Sequence, residues 1–380
     1  MKPELYSTPT IPLLPKKNLY KVLLFAAIAF ASFHSIYTTL YRGKGLDNYD
    51  RHRAVMEQTT MFYNPWQYRI LAPLAVEGVY QVMDHTIYQA IDFELIAKRM
   101  QSVNLEGKDD ITTTLITRAQ NPDYIKYLIV FILVRWALNI LLFIVLILYW
   151  RLFTDNKYLL YLALLFFSLI LGNSVNDSDF SFNTIIDNLL YLFAGIVILQ
   201  KRHPIYIVLI AIIGSFNRET SIMIPGLYFL NQVDFKNLSI HNILGMKKPI
   251  TYTAVSYLLF FAIFIGIRMH FGYVPQEQWR VPAGLPMLKL NMLSLVSVKS
   301  YFEMYGTVLF LPFLIFFGLK KYSHYLIIGF FYLVPVWFAI HLVMVVAYQS
   351  RLFLVPTLLI LIPMLLQLVS TESKRLYKLN

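Results

Sequence analysis

Residues 126–150 read KYLIVFILVRWALNILLFIVLILYW, an apolar run in which Arg135 is the only charged residue after Lys126. A helix needs about 20 apolar residues to cross the hydrocarbon core of a bilayer, so this run predicts a membrane span. Similar runs recur along the chain, and they predict further spans at 19–41, 157–174, 184–200, 250–268, 304–319, 324–347 and 352–369.

The interval 204–231 holds two shorter apolar runs that the polar residues Asn217, Arg218, Glu219 and Thr220 separate. They are most simply two short spans that meet at a polar turn, and a re-entrant pair is the alternative. The expected fold is therefore an all-α integral membrane protein with about ten membrane helices, in which residues 1–380 form a single polytopic domain.

The composition agrees with this fold class. The chain is 58% hydrophobic and 14% charged, its mean hydropathy is +0.57, and soluble domains carry about 25% charged residues. The net charge of +12 is spread over short segments between apolar runs, which favours membrane lipids over nucleic acid as partners. Because the chain has no cysteine, disulfides and thiolate chemistry are excluded.

Lys and Arg predict the orientation. With the N-terminus inside, every cytoplasmic segment carries at least one of them, as the positive-inside rule requires. Those segments are 1–18, 151–156, 201–203, 232–249, 320–323 and 370–380. We therefore expect a multi-pass protein of the inner or plasma membrane with both termini cytoplasmic.

Two predicted outer loops, 42–125 and 269–303, are too long to be plain connectors. In the first, Ile70–Asp84 and Thr86–Met100 place apolar residues at helical spacing, which predicts interfacial helices. The second is rich in Pro and Gly until Leu285 and amphipathic after it. Together the two loops could cover a cavity at the outer face.

Acidic residues near span ends are the first candidate site residues. Asp47 and Asp50 are three residues apart and share one face of a helix, where they could bind a divalent ion or supply a general base, or be a solvated pair. Asp177 and Asp179 suit a hard cation that bridges phosphate oxygens, although short polar turns often contain two Asp. Asp187 lies inside a span, where an ionisable group is a functional hypothesis by default.

Arginines with polar neighbours are the second set. Arg218 could clamp a phosphate in a forked geometry while Glu219 orients it, or the two could form a polar turn with a local ion pair. Arg69, beside Tyr68, and Arg351, which opens the last span, either snorkel to headgroups or hold a lipid phosphate.

Four of these features resemble the GT-C superfamily of polytopic glycosyltransferases, especially the bacterial members linked to cell-surface polysaccharide. The features are the acidic motif after the first span, the long outer loop with PWQYRILAP at 65–73, the acids at later span ends, and the segments NRETSIMIP at 217–225 and QSRLFLVP at 349–356.

The resemblance implies an enzyme that moves a sugar from a polyprenyl-phosphate donor to a glycan, lipid or protein acceptor at the extracytoplasmic face. Asp47 or Asp50 would be the base or a metal ligand, with Mg²⁺ or Mn²⁺ as the possible metal and Asp177 as a further ligand. The substrate-binding set would be Tyr68, Arg69, Asp177, Asp179, Asp187, Arg218, Glu219 and Arg351. The chain departs from better-known members because it lacks a soluble C-terminal domain.

Three other functions fit the pattern. An O-antigen or exopolysaccharide polymerase would use the same lipid-linked substrates but depend more on arginines than on a carboxylate. A transporter or flippase would place polar residues near the bilayer midplane and show inverted repeats. In a non-enzymatic assembly protein, the outer acids would be dispensable.

Overall fold

The computed structural model describes residues 16–57, 65–176, 181–272, 281–293, 298, 308, 310–347 and 349–377, and the regular structure in these ranges is helical. The α-helices are α1 (Lys16–Tyr41), α2 (Lys44–Glu57), α3 (Leu71–Asp84), α4 (Phe93–Gln101), α5 (Asp110–Arg118), α6 (Pro122–Trp150), α7 (Lys157–Asn176), α8 (Phe182–Leu199), α9 (Ile205–Ser215), α10 (Met223–Leu230), α11 (Ile240–Gly245), α12 (Lys247–Phe271), α13 (Leu285–Leu293), α14 (His324–Met344), α15 (Leu354–Pro356) and α16 (Ile362–Tyr377).

Shorter 3₁₀ segments lie between them at Trp66–Tyr68, Ile87–Ala90, Glu219–Ile222, Phe235–Asn237, Leu311–Phe317, Leu319–Lys321 and Ser350–Phe353. A π-helical segment, Thr357–Leu361, joins α15 to α16. Two of its carbonyls accept hydrogen bonds from α6. The Tyr149 hydroxyl donates to Leu359 O at 2.6 Å, and the Trp150 indole donates to Leu358 O at 2.9 Å.

Seven helical segments in the described ranges are long and apolar enough to cross a membrane, so the chain is a multi-pass membrane protein with about seven spans. They are Lys21–Tyr41, Pro122–Trp150, Lys157–Val175, Phe182–Leu199, Lys247–Phe271, His324–Met344 and Ser350–Glu372.

The prediction of about ten spans is therefore wrong, and two regions account for the difference. The 204–231 interval forms α9, with 11 residues, and α10, with 8 residues. At 1.5 Å per residue α9 rises about 16 Å, roughly half of the hydrocarbon thickness. In the predicted span 304–319, Leu311–Phe317 is 3₁₀-helical and residues 304–307 and 309 lie outside the described residues.

The first long loop contains the predicted helix of residues 70–84 as α3, which buries Ala72 and Val76 and exposes Val79 and Val82. The predicted helix of residues 86–100 is shorter. Asp92 breaks it by capping α4, since its side chain accepts from Leu95 N at 2.9 Å. In the second loop α13 begins at Leu285, where the amphipathic pattern starts.

Neighbouring helices of the bundle place particular termini together at one end. Ser174 of α7 lies 3.2 Å from Ser350 between their hydroxyl oxygens. The amide of Asn291 donates to Leu342 O at 2.7 Å and joins α13 to the last turns of α14. We call the end of the bundle that holds Ser174, Ser350 and Asn291 the polar end. At the opposite end Lys321 pairs with Glu372, and Ser323 N donates to Gln367 Oε1 at 2.9 Å.

The C-terminus of α12 also lies at the polar end. Gly272 ends this helix with φ = +77°, a conformation that glycine adopts without a Cβ clash. Its carbonyl accepts a 2.8 Å hydrogen bond from the Tyr68 hydroxyl. This contact positions the 3₁₀ segment Trp66–Tyr68, which belongs to the first long loop, against α12.

Candidate functional site

Asp187 is the deepest acid of the site. It lies in α8, which begins at Phe182, and its side chain is fully buried. Oδ2 accepts a 3.0 Å hydrogen bond from Thr220 Oγ1, and Nη1 of Arg218 lies 3.5 Å from the same oxygen. A buried carboxylate is stable when it is paired and hydrogen-bonded, so the turn after α9 stabilises the charge of Asp187.

Arg218 and Glu219 point to different partners. Arg218 has an extended backbone, with φ −153° and ψ 149°, so the side chains of the two residues diverge. Arg218 faces Asp187, whereas Glu219 lies 2.8 Å from Nη2 of Arg69 and 3.4 Å from Nη2 of Arg268.

Aromatic rings hold the two arginines that pair with Glu219. The guanidinium of Arg69 lies 4.9 Å from the centre of the Trp66 ring, and that of Arg268 lies 4.5 Å from the centre of the Tyr68 ring. Such cation–π contacts keep an arginine charged and oriented in a partly dry site. The 3₁₀ segment Trp66–Tyr68 thus carries the two aromatic rings that orient these arginines. Tyr68 also fixes the segment to α12 through its hydrogen bond to Gly272 O.

We call Arg69, Asp187, Arg218, Glu219 and Arg268 the arginine cluster. Three guanidinium groups and two carboxylates leave it with a net charge of +1. The Nε atoms of Arg69 and Arg218 are buried and have no hydrogen-bond partner among the described residues. Buried donors of this kind need an acceptor, and an anion would provide one together with the missing negative charge.

The arginines set the protonation of Glu219, the less buried acid of the cluster. Burial raises the pKa of Glu219, but the charges of Arg69 and Arg218 and the hydrogen bonds to its carboxylate together outweigh burial and hold that pKa below its ordinary value. Burial and the neighbouring Arg69 lower the pKa of Arg218. Glu219 is therefore ionised at neutral pH, and it neutralises part, not all, of the positive charge.

The predicted catalytic acids are on α2, which reaches the cluster through Arg51: its guanidinium lies 5.0 Å from the centre of the Trp66 ring, which Arg69 also contacts. Both carboxylate oxygens of Asp50, on α2, accept hydrogen bonds from the Arg118 guanidinium, at 2.6 and 3.1 Å. Asp47, one turn earlier on α2, is exposed. Arg351 donates to Gln349 Oε1 at 2.9 Å. The predicted site residues Asp177 and Asp179 lie outside the described residues.

The described residues do not fit a divalent metal at the predicted position. Asp50 uses both oxygens for Arg118, so Asp47 and Asp50 do not form an open carboxylate pair. Across the described ranges, no group of three or more His, Asp or Glu side chains is placed to hold a metal ion.

Sequence reasoning missed two arginines of this region. Arg268 lies near the end of a span, where such a residue is usually topogenic, and only its proximity to Glu219 marks it as part of the cluster. Arg118 lies in a loop with many charges, and its bidentate pairing with Asp50 spans 68 residues of sequence. Hydropathy and spacing carry no signal for either contact.

Comparison with known proteins gives no relative. The chain matches no protein-family model, no curated protein and no solved structure. The fold and the site therefore define a class only: a polytopic, all-helical membrane protein with about seven spans and a buried arginine-rich polar cluster.

His52 makes the stability of the folded protein depend on pH. It is buried on α2, with its ring 5.2 Å from that of Phe131 and 4.9 Å from that of Phe182. Burial, together with the charges of Arg135 and Arg51, lowers the pKa of His52 from 6.5 to about 3. The folded protein therefore holds His52 neutral.

Below pH 6.5 the unfolded chain protonates His52, whereas the folded protein does so only near pH 3, so stability falls as pH falls through this window. The expected slope is about 1.4 kcal/mol per pH unit. Unfolding free energies from pH 7 to 5 should show a shallower acid slope for His52→Gln than for the wild type. The exposed His241 gives the control His241→Gln, and equal slopes for all three proteins would contradict the assignment.

Proposed function

We propose that this protein is a membrane glycosyltransferase that moves a sugar from a polyprenyl-phosphate donor to an acceptor at the extracytoplasmic face. The observation that carries the proposal is the arginine cluster: three arginines from separate parts of the chain against two acids, beneath the polar end of a membrane bundle. A lipid phosphate supplies the anionic charge and the acceptor oxygens that this cluster lacks.

The chemistry follows from these groups. The bond between the sugar's anomeric carbon and the phosphate oxygen breaks, and an acceptor hydroxyl forms the new bond to that carbon. The departing phosphate gains negative charge, which preorganised arginines stabilise in the transition state. A carboxylate of α2, Asp50 or Asp47, takes the proton of the acceptor hydroxyl. The products are the glycosylated acceptor and polyprenyl phosphate.

The proposed orientation is supported by the two ends of the bundle. Basic pairs in the connections opposite the polar end, Lys201-Arg202, Lys247-Lys248 and Lys320-Lys321, suit a cytoplasmic side. The arginine cluster then faces outward, and the end of α16 at Glu372, which pairs with Lys321, is on the cytoplasmic side. Nucleotide sugars are confined to the cytoplasm, so a site on the outer face takes its activated sugar from the membrane.

A second candidate is an O-antigen or exopolysaccharide polymerase. The pairing of Asp50 with Arg118 favours it, because both carboxylate oxygens of Asp50 already accept hydrogen bonds from the guanidinium. Both candidates need the arginine cluster, but only the transferase needs a carboxylate of α2. Separate Arg and Asp substitutions therefore distinguish them. The transporter or flippase receives no specific support from the contacts.

Arg268→Gln and Arg69→Gln should each weaken binding of polyprenyl phosphate by about 10- to 150-fold, since a hydrogen bond to a charged group contributes about 1.5–3 kcal/mol. Binding is measured on the full chain in phosphatidylcholine nanodiscs by native mass spectrometry, with uncharged polyprenol as the reference lipid.

The exposed Arg151, which follows α6, supplies the matched control Arg151→Gln. Preferential binding of polyprenyl phosphate over polyprenol by the wild type, lost in the cluster variants and kept in the control, supports the proposal. Equal affinity of the wild type for the two lipids contradicts it.

A further inference from the structure

An open cavity of about 430 Å³ lies between α2, α3 and the first turns of α6. Its lining residues are polar or aromatic: Tyr49, Arg53, Glu77, Tyr80, Gln81, Asn121, Asp123, Tyr124 and Tyr127. The volume is within the range of small-molecule sites in proteins, about 300–1,000 Å³. None of these residues belongs to the arginine cluster.

Four tyrosines form the aromatic wall of this cavity. The Tyr49 ring lies 4.8 Å from Tyr124 and 5.5 Å from Tyr127, and the Tyr80 ring lies 5.2 Å from Tyr127, measured between ring centres. The pairs are edge-on or tilted, so their rings support one another in fixed orientations. Such a wall offers flat apolar faces beside polar hydroxyl groups.

Three polar atoms of the lining have no hydrogen-bond partner in the described part of the chain, although they are buried. They are the hydroxyls of Tyr124 and Tyr127, which lie beside the guanidinium groups of Arg118 and Arg53, and Oε2 of Glu77, which lies 3.8 Å from Nη1 of Arg53. Leaving a buried polar group unsatisfied costs about 1–3 kcal/mol, so each such group calls for a partner. A hydroxyl-bearing ligand would donate to Glu77 and exchange hydrogen bonds with the two phenols.

The charge of the lining disfavours a phosphate ligand. Arg53, Glu77 and Asp123 leave a net charge of −1. Arg53 is also paired with Glu57 at 2.8 Å and lies over the Tyr127 ring at 4.5 Å. The cavity is therefore unlike the arginine cluster, whose net charge is +1. Aromatic faces with amide, phenol and carboxylate groups suit a neutral ligand that has C–H faces and many hydroxyls.

We propose that this cavity binds a neutral saccharide, the acceptor of the transfer reaction. This assignment rests on the proposed function, and it names the acceptor class that the reaction takes. Asp50 is next to the lining residue Tyr49, and its partner Arg118 lies 5.9 Å from the centre of the Tyr124 ring. An acceptor hydroxyl at this rim lies on the same side of α2 as the proposed base.

The test uses saturation-transfer NMR on the full chain in phosphatidylcholine nanodiscs, which avoids competition from sugar-based detergents. The probes are glucose, galactose, mannose, rhamnose, N-acetylglucosamine, and the disaccharides maltose and chitobiose. The variants Tyr124→Phe and Tyr127→Phe remove one unpartnered hydroxyl each and leave the rings packed. Tyr158, which is exposed on α7, supplies the control Tyr158→Phe.

The expected result is binding of at least one probe by the wild type, weakened tenfold or more in both cavity variants and unchanged in the control. Unfolding temperatures of the two variants should stay close to that of the wild type, since the rings remain packed. Failure of every probe to bind, or binding that both variants retain, overturns the acceptor site. Polyprenyl phosphate binding is measured in parallel; its persistence would then leave the proposed function intact.

Discussion

The Asp50→Asn variant is expected to lose 10²–10⁴-fold in sugar transfer while it folds and inserts as the wild type does. The amide keeps the shape of the carboxylate but does not accept the acceptor's proton, and a positioned general base contributes about this factor. Arg118 holds Asp50 beside the tyrosine-lined cavity, so we expect Asp50→Asn to have a larger effect than Asp47→Asn, where the carboxylate is exposed.

Transfer is measured as release of polyprenyl phosphate from a panel of polyprenyl-phosphate hexoses in membranes that contain each variant. Asp110, an acid in the first turn of α5, supplies the control Asp110→Asn. Full activity in the double variant Asp47→Asn/Asp50→Asn would remove the catalytic acid, and if the arginine variants were still inactive, the polymerase would become the better candidate.

The second large effect is on stability. Asp187→Asn leaves the buried guanidinium of Arg218 without its carboxylate, and removing one partner of a buried ion pair costs about 3–5 kcal/mol of unfolding free energy. Arg218→Met leaves Asp187 unpaired and should cost a similar amount. The double variant Asp187→Asn/Arg218→Met buries no unpaired charge, so it should recover most of the loss.

The three proteins and the wild type form a double-mutant cycle, measured by SDS-induced unfolding in mixed micelles. Asp84 pairs with Lys126 at 3.2 Å but is partly exposed, so Asp84→Asn should cost less than about 1 kcal/mol. Additive losses in the double variant would mean that Asp187 and Arg218 do not depend on each other. Because the cycle measures folding alone, its result is independent of any transfer assay.

Hydropathy determined the class of fold from the sequence, since a run of about 20 apolar residues has one stable place, across a bilayer. The span 126–150 lies in α6, and Asp187 in the predicted span 184–200 is buried and paired. These inferences depend on local properties of the chain.

Only the tertiary structure decided that α9 and α10 are too short to cross, that Arg268 joins Glu219, and that Arg118 holds Asp50. It also formed the tyrosine-lined cavity from α2, α3 and α6. The physical reason is that hydropathy depends on neighbours along the chain, whereas ion pairs and cavities depend on which helices pack side by side. No spacing rule connects residues 50 and 118, because their contact exists only once the helices between them have packed.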